Sequence, residues 1–318
     1  MNLIALGQTK LNVTPVGFGV LTIGPWQMNL PIPEGASILR YAIDQGINFL
    51  DGAQYYQTYP YIKKALRGLQ KEVIIASKSL SCTYEGMKSA IEEARHEMDR
   101  DYIDIFMLHE VREGLDWMNR SAAWEYLQEA KSEGLVKAIG LSTHHVDVAD
   151  FASSVQEIDV IFPLINFRSM GIRNNLSSGT KEDMAAAILK ASLVGKGVFG
   201  MKVFGGGNLT GEYQEAIRYV RDLPGINSIM IGFGHFEEID RIIEMMEGTI
   251  DPNYIPEISH KKIRIDQGDC ISCLACIRRC PNHALFLNAE GKADVNHNLC
   301  ITCGYCAPMC PVLAIIMY

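Results

Sequence analysis

Between residues 12 and about 248, short apolar runs rich in β-branched residues alternate with longer stretches whose apolar positions recur every three or four residues. The runs cover 16–24, 47–53, 73–79, 103–110, 136–144, 160–167, 197–204 and 226–234, eight in all. The stretches between them, such as 85–98, read as amphipathic helices, and two of them end at a glycine stop. Strands that are apolar nearly throughout and alternate with helices predict a parallel sheet covered on both faces. Eight βα units in about 235 residues fit an α/β fold of the TIM (β/α)8 type better than an open doubly wound sheet. An open sheet would usually carry a glycine fingerprint after its first strand, and Gly17-Phe18-Gly19 lies within a strand instead.

Periodicity stops at 249–262, where two prolines mark a linker. Fully extended it would reach roughly 45 Å, enough to carry the remaining chain from the bottom of the barrel to its upper face. The expected organisation is a barrel over 1–248, the linker, and a small α+β module over 263–318.

That module changes the picture, because C-x2-C-x2-C-x3-C-P occurs in it twice, starting at Cys270 and at Cys300. Four thiolates hold a [4Fe–4S] cluster, and this spacing is the bacterial ferredoxin pattern. A short loop wraps three thiolates round one cluster, and the proline turns the fourth towards the other. The reading assigns Cys270, Cys273, Cys276 and Cys310 to one cluster, and Cys300, Cys303, Cys306 and Cys280 to the second. Structural zinc prefers C-x2-C pairs with a longer gap. Disulfides suit small secreted domains, and the opening MNLIALGQTK lacks the basic-then-apolar start of a signal peptide. Only Cys82 stands outside the doubled register, and it reads as a small buried residue. A reducing, oxygen-poor cytoplasm is the expected setting.

Composition narrows the classes further. A net charge of −8 argues against nucleic acid, which needs clustered Lys and Arg. No stretch approaches eighteen uninterrupted apolar residues, so no membrane span is expected.

In such a barrel the chemistry sits at the carboxyl ends of the strands. Asp51 closes the second strand with Tyr56 in the loop beyond it, Lys78 ends the third, and His109 ends the fourth. A tyrosine beside a buried Lys–Asp pair is a proton-donor candidate. The cation is expected to lower its pKa, and the histidine to polarise a carbonyl oxygen. Each residue alone has an ordinary structural explanation; the four at three successive strand ends form a set suited to carbonyl reduction. The adjacent His144 and His145 read as a polar loop. Trp117 and Met118 are candidates to cap a substrate pocket or to pack on the barrel.

The barrel resembles the aldo-keto reductases, in LGQTKLNVTPVGFG, INFLDGAQYY round Asp51 and Tyr56, IIASKS round Lys78, DYIDIFMLHE round His109, GLVKAIGLSTH and, more loosely, VFGGGNLTGE. The resemblance runs over roughly 3–247. With the tail, the whole looks like the iron–sulfur, ferredoxin-fused branch of that family. It implies a dinucleotide, NAD(H) or NADP(H), laid across the top of the barrel without a Rossmann domain. Ser142 and Thr143 stand where the family has Ser-Asn to hold the nicotinamide amide, and Asn166 is near the usual glutamine. Phe204 would stack on the ring. The amides of Gly205, Gly206 and Gly207 would approach the pyrophosphate, a flexible turn being the equal alternative, and Gly232 and Gly234 match a phosphate turn. Glu237, Glu238 and Asp240, with only Arg241, occupy the place of the basic residues that grip a 2′-phosphate, which favours NADH. Arg241 and Ile242 replace the adenine-gripping Glu-Asn pair.

The family's substrate-gripping carboxyl-terminal loop is absent, and the cluster module takes its place. A nicotinamide moves two electrons as hydride and each cluster passes one, so a flavin would bridge the two, although no flavin motif is present. Three readings stay open. In the first, a reductase of a carbonyl-type small molecule uses Tyr56 as proton donor and is linked by its clusters to a ferredoxin-type partner. In the second, an electron-transfer protein binds a flavin or other acceptor in the barrel. The third is a nicotinamide-dependent reductase whose clusters only brace the structure.

Overall fold

The computed structural model describes residues 1–175, 177–256 and 261–318. Eight parallel strands close into a barrel: β1 (Val16–Gly19), β2 (Phe49–Asp51), β3 (Ile74–Ser79), β4 (Ile103–Leu108), β5 (Val136–Thr143), β6 (Val160–Pro163), β7 (Gly197–Gly200) and β8 (Ser228–Ile231). Each is shorter than the apolar run that predicts it, because the runs continue into the loops at the upper rim.

Alternation along the strands separates two cores. Phe49, Ile74, Ala76, Ile105, Met107, Ala138, Phe162 and Phe199 fill the barrel interior. Leu6, Leu11 and Val13 from an amino-terminal hairpin (Ile4–Ala5 paired with Asn12–Val13) join them. Burying a leucine such as Leu6 contributes about 1.5–3 kcal/mol, so the hairpin holds the lower end shut. The outward residues pack under the helices. The helix over Tyr84–Met98 shows why those form where they do. Thr83 accepts a hydrogen bond from the Gly86 amide at its start, Asp99 ends it with φ 57°, and Met87, Ala90, Ile91, Ala94 and Met98 make its buried stripe.

After the barrel, β9 (Ile263–Ile265) pairs antiparallel with the carboxyl-terminal β12 (Ile315–Met317), and β10 (Leu285–Leu287) with β11 (Ala293–Val295). This small unit is fixed to the upper half of the barrel. Leu313, fully buried, belongs to the barrel's outer core and packs where a side chain at Gly171 would stand. The Asn208 amide donates to the Ile315 carbonyl at 2.8 Å, and the Met317 N–H to the Gly206 carbonyl at 2.7 Å. The Arg264 guanidinium lies 5.2 Å from the Trp26 ring centre. No helix among the described residues is long and apolar enough to cross a membrane.

Candidate active site

Because side chains alternate along a strand, the residue two beyond an inward-facing one also faces inward. Asp51 follows Phe49 in this way, Lys78 follows Ala76, His109 follows Met107, and Ser142 follows Gly140. Pairing of Asp51 with Ala76, Lys78 with Met107 and Ser142 with Phe162 sets these polar residues round the top of the interior.

Lys78 is 1% exposed, and its ammonium donates to both Asp51 carboxylate oxygens, at 2.7 and 2.9 Å, and to the Gly52 carbonyl at 2.7 Å. Burial pushes the carboxyl up and the ammonium down from their ordinary values, and their mutual attraction opposes both shifts. Tyr56, on a single 3-10 turn after β2, brings its ring to 4.9 Å from the Lys78 ammonium. The same ring meets His109 edge to face, centroids 5.5 Å apart. The expected lowering of the Tyr56 pKa does not occur. Burial, then the carboxylates of Asp51, Glu110, Asp266 and Asp269, push it well above the usual tyrosine value. His109 is driven well below the ordinary histidine value by burial and by Lys78 and Arg120, so its ring is neutral, and its buried Nδ1 has no hydrogen-bond partner among the described residues. Tyr56 and His109 are thus both neutral at pH 7, held against a buried ion pair.

No sequence pattern points to Arg120. It is 2% exposed and donates to the carbonyls of Ser79 and His109, at 2.9 and 2.8 Å, tying the ends of β3 and β4 together. A second cluster is equally hidden in the sequence, since its members come from three distant segments. Ligand-capable atoms of Glu110, His144 and Asp269 lie within 4.8 Å of one another, so His144 faces two carboxylates rather than lying in a plain polar loop. Arg112 reaches Glu110 at 3.0 Å and Asp269 at 3.5 Å, and Lys202 reaches Asp269 at 3.7 Å. Glu110 is pushed up to about 7 by burial and then by Asp269. Burial also presses Asp269 upward, but Lys202 and His144 hold it down to about 2. His144 is lowered to about 3, chiefly by burial. Glu110 and Lys202 both adopt left-handed backbone, φ 53° and 57°, conformations that cost an L side chain energy.

Asp269 immediately precedes Cys270, so this junction brings the cysteine module onto the rim that carries Tyr56. Cys270, Cys273, Cys276 and Cys310 line one small cavity of the module, and Cys280, Cys300, Cys303 and Cys306 line another. These are the two groups of four into which the doubled register sorts the cysteines. Each cavity offers the four cysteine sulfurs that a [4Fe–4S] cluster needs, with Ala314 and Ala284 amides directed at Cys310 and Cys280 sulfur. Cys82 is exposed rather than buried, with its thiol 3.6 Å from the Leu80 carbonyl.

The residues expected to hold a dinucleotide are engaged by the chain itself. Ser142 Oγ accepts from the Glu110 amide, and Thr143 Oγ1 donates to the Val111 carbonyl. Asn166, fully buried, closes its own loop through the Met170 carbonyl and the amides of Arg168 and Met170. Phe204 stacks on Tyr213 at 5.3 Å. Gly205, Gly206 and Gly207 all have positive φ, and the carboxyl-terminal residues approach two of them closely. A Cβ on Gly206 would stand 2.8 Å from Ile316 Cδ1, and one on Gly207 2.0 Å from the Met317 carbonyl oxygen. Gly232 is tight against Thr22, and the Gly234 amide donates to Glu238 at 2.7 Å. Ile242 is core and Arg241 pairs with Glu244. Trp117 packs on Trp124 and Phe151, while Met118 is exposed.

Comparison with known proteins agrees with this architecture. Residues 15–224 match the Aldo/keto reductase family, and residues 262–311 a 4Fe-4S dicluster domain. L-galactose dehydrogenase of Arabidopsis thaliana is 29% identical over 46% of this chain and 50% of its own length. Methylglyoxal reductase of Escherichia coli is 25% identical over 58% of this chain and 67% of its own. The chain thus spans about half the length of the first of these relatives. An aldo-keto reductase structure from Bacillus halodurans superposes with TM-score 0.65 at 18% identity, covering 78% of this chain and 91% of that one, which shows the shared fold.

Proposed function

Because the chain belongs to the aldo/keto reductase family and ends in a 4Fe-4S dicluster domain, we propose that this oxidoreductase reduces a carbonyl-type small molecule at the upper rim of its barrel, with Tyr56 as proton donor. The observation that carries the reading is the convergence of Tyr56, Lys78, Asp51 and His109 on one end of the barrel. The buried phenol is a weaker acid than a free tyrosine, so it gives up its proton only to an oxygen on which charge close to that of an alkoxide has built. The Lys78 ammonium against the Tyr56 ring then stabilises the phenolate that remains, and Asp51 keeps that ammonium in place. The neutral His109 ring can orient the carbonyl oxygen without competing as an acid.

Conversion of C=O to CH–OH consumes two electrons and two protons. Tyr56 delivers one proton to oxygen and recovers it from water, which also supplies the proton that ends on carbon. The electrons come from a ferredoxin-type redox protein. When bound in the two cysteine cavities, [4Fe–4S] clusters supply one-electron transfer.

The test uses anaerobic holoenzyme, reduced viologen as donor, and a panel of small aldehydes and ketones. Methylglyoxal is included because it names the activity of the E. coli relative. Tyr56→Phe should cut turnover about 10²–10⁴-fold while iron content stays that of the parent. Turnover equal to the parent's would remove Tyr56 from the mechanism, and a parent enzyme that reduces no member of the panel would sink the reading.

A further inference from the structure

The family lays its dinucleotide across the loops after β5, β7 and β8. We infer that in this chain that groove is closed to a dinucleotide by the protein's own carboxyl-terminal strand. The observations agree along the whole length of the expected ligand. At the nicotinamide end, Thr143 Oγ1 accepts from the His145 amide at 3.0 Å and spends its only proton on the Val111 carbonyl at 2.7 Å. Both ends of the Asn166 carboxamide are bound within its own loop. Neither the Thr143 proton nor the Asn166 carboxamide oxygen, which accepts from both Arg168 and Met170, can bind another amide without breaking a buried hydrogen bond, at about 1–3 kcal/mol for each group left unpaired.

At the pyrophosphate position the obstruction is backbone. The Met317 N–H donates to the Gly206 carbonyl at 2.7 Å, and its carbonyl lies close enough to Gly207 to forbid a Cβ there. The glycines are therefore explained by the close approach of β12, with no phosphate needed. β12 cannot swing away freely, because it pairs with β9 through Ile263–Met317, Arg264–Ile316 and Ile265–Ile315, and Asn208 holds its Ile315 carbonyl.

At the adenosine end, the amides of Gly234 and His235 both donate to one Glu238 carboxylate oxygen, at 2.7 and 3.2 Å. A phosphate would have to displace that carboxylate and then sit beside its charge. The space that remains, bounded by Met28, Phe204, Gly232, Met317 and Tyr318, is about 330 Å³. Pockets for drug-sized ligands run roughly 300–1,000 Å³, so this one is at the bottom of that range, and a dinucleotide is two nucleotides long.

The closure does not depend on the carbonyl-reduction reading. NADH and NADPH are titrated separately into anaerobic holoenzyme of verified iron content, followed by nicotinamide fluorescence and calorimetry. No saturable binding is expected up to roughly 1 mM, the top of the usual KM range. Saturable binding of either nucleotide below that concentration would overturn the closure and leave Tyr56 chemistry untouched. Failure of viologen-driven turnover with no nucleotide binding would overturn the carbonyl reading and leave the closure standing.

Discussion

Two regions of the upper rim, both expected from the same family resemblance, have opposite fates. Round β2 to β4 the Asp51–Lys78 pair presses against Tyr56 and His109, and no hydrogen bond among the described residues occupies the His109 Nδ1. Round β7 and β8 the backbone and side chains meet partners from the chain itself, Gly206 and Gly207 from β12 and Gly234 from Glu238. The contrast separates proton chemistry from hydride chemistry. A barrel can keep the first while its own tail fills the room for the second.

The sharpest way to break the comparison is to damage the first region. Lys78→Met leaves the 4%-exposed Asp51 without its cation and should cost about 3–5 kcal/mol, read as a lower denaturation midpoint together with lost turnover. Stability within about 1 kcal/mol of the parent would show that the pair contributes little to the folded state.

The second region is tested by two glycines that share left-handed backbone and differ in surroundings. Gly207→Ala (φ 84°) drives a methyl into the Met317 carbonyl, whereas Gly248→Ala (φ 75°) meets nothing within 4 Å. The first should cost about 1–3 kcal/mol more than the second and hasten proteolysis between residues 249 and 262. Equal costs would mean that β12 does not hold the groove. A smaller effect is expected at the junction, where Asp269→Asn should cost about 0–1 kcal/mol. A larger loss would give the Arg112 and Lys202 contacts more weight than their partial exposure suggests.

The least effect concerns pH. His144, whose pKa is lowered to about 3 from an ordinary 6.5, stays neutral in the folded state while the unfolded chain takes up a proton. Its contribution to stability is therefore full above pH 6.5 and shrinks as pH falls towards 3. Glu110, raised to about 7, gains stability over the same interval, so the difference is what reports His144: from pH 7 to pH 5 the melting temperature of the parent should fall relative to that of His144→Gln. A difference that stays constant with pH would show that His144 does not hold off its proton in the folded state.

The features legible in the sequence have local or strictly periodic causes. Alternation places Asp51, Lys78 and His109 on the inner face of their strands, and the doubled cysteine spacing sorts eight thiols into two sets. The features that are not legible depend on approaches across the chain. The use of Gly206 and Gly207 is decided by residues more than a hundred positions later. The His144 environment needs Glu110 from one loop and Asp269 from the cysteine module. The Tyr56 pKa runs opposite to expectation chiefly because the phenol is buried, and then because Glu110, Asp266 and Asp269, which the strand pattern does not reveal, join Asp51 round it.

The central claim is that the cluster module closes over the rim that bears Tyr56, and zero-length carbodiimide cross-linking of the anaerobic holoprotein tests it most directly. Lys190 and Asp150, an exposed pair 2.7 Å apart within the barrel, report that the reagent has worked. The account predicts that peptide mapping then also finds Lys202 joined to Asp269, across the 3.7 Å contact. A sample that shows the Lys190–Asp150 product but links Asp269 to Lys10 or Lys196, at the other end of the barrel, would contradict it.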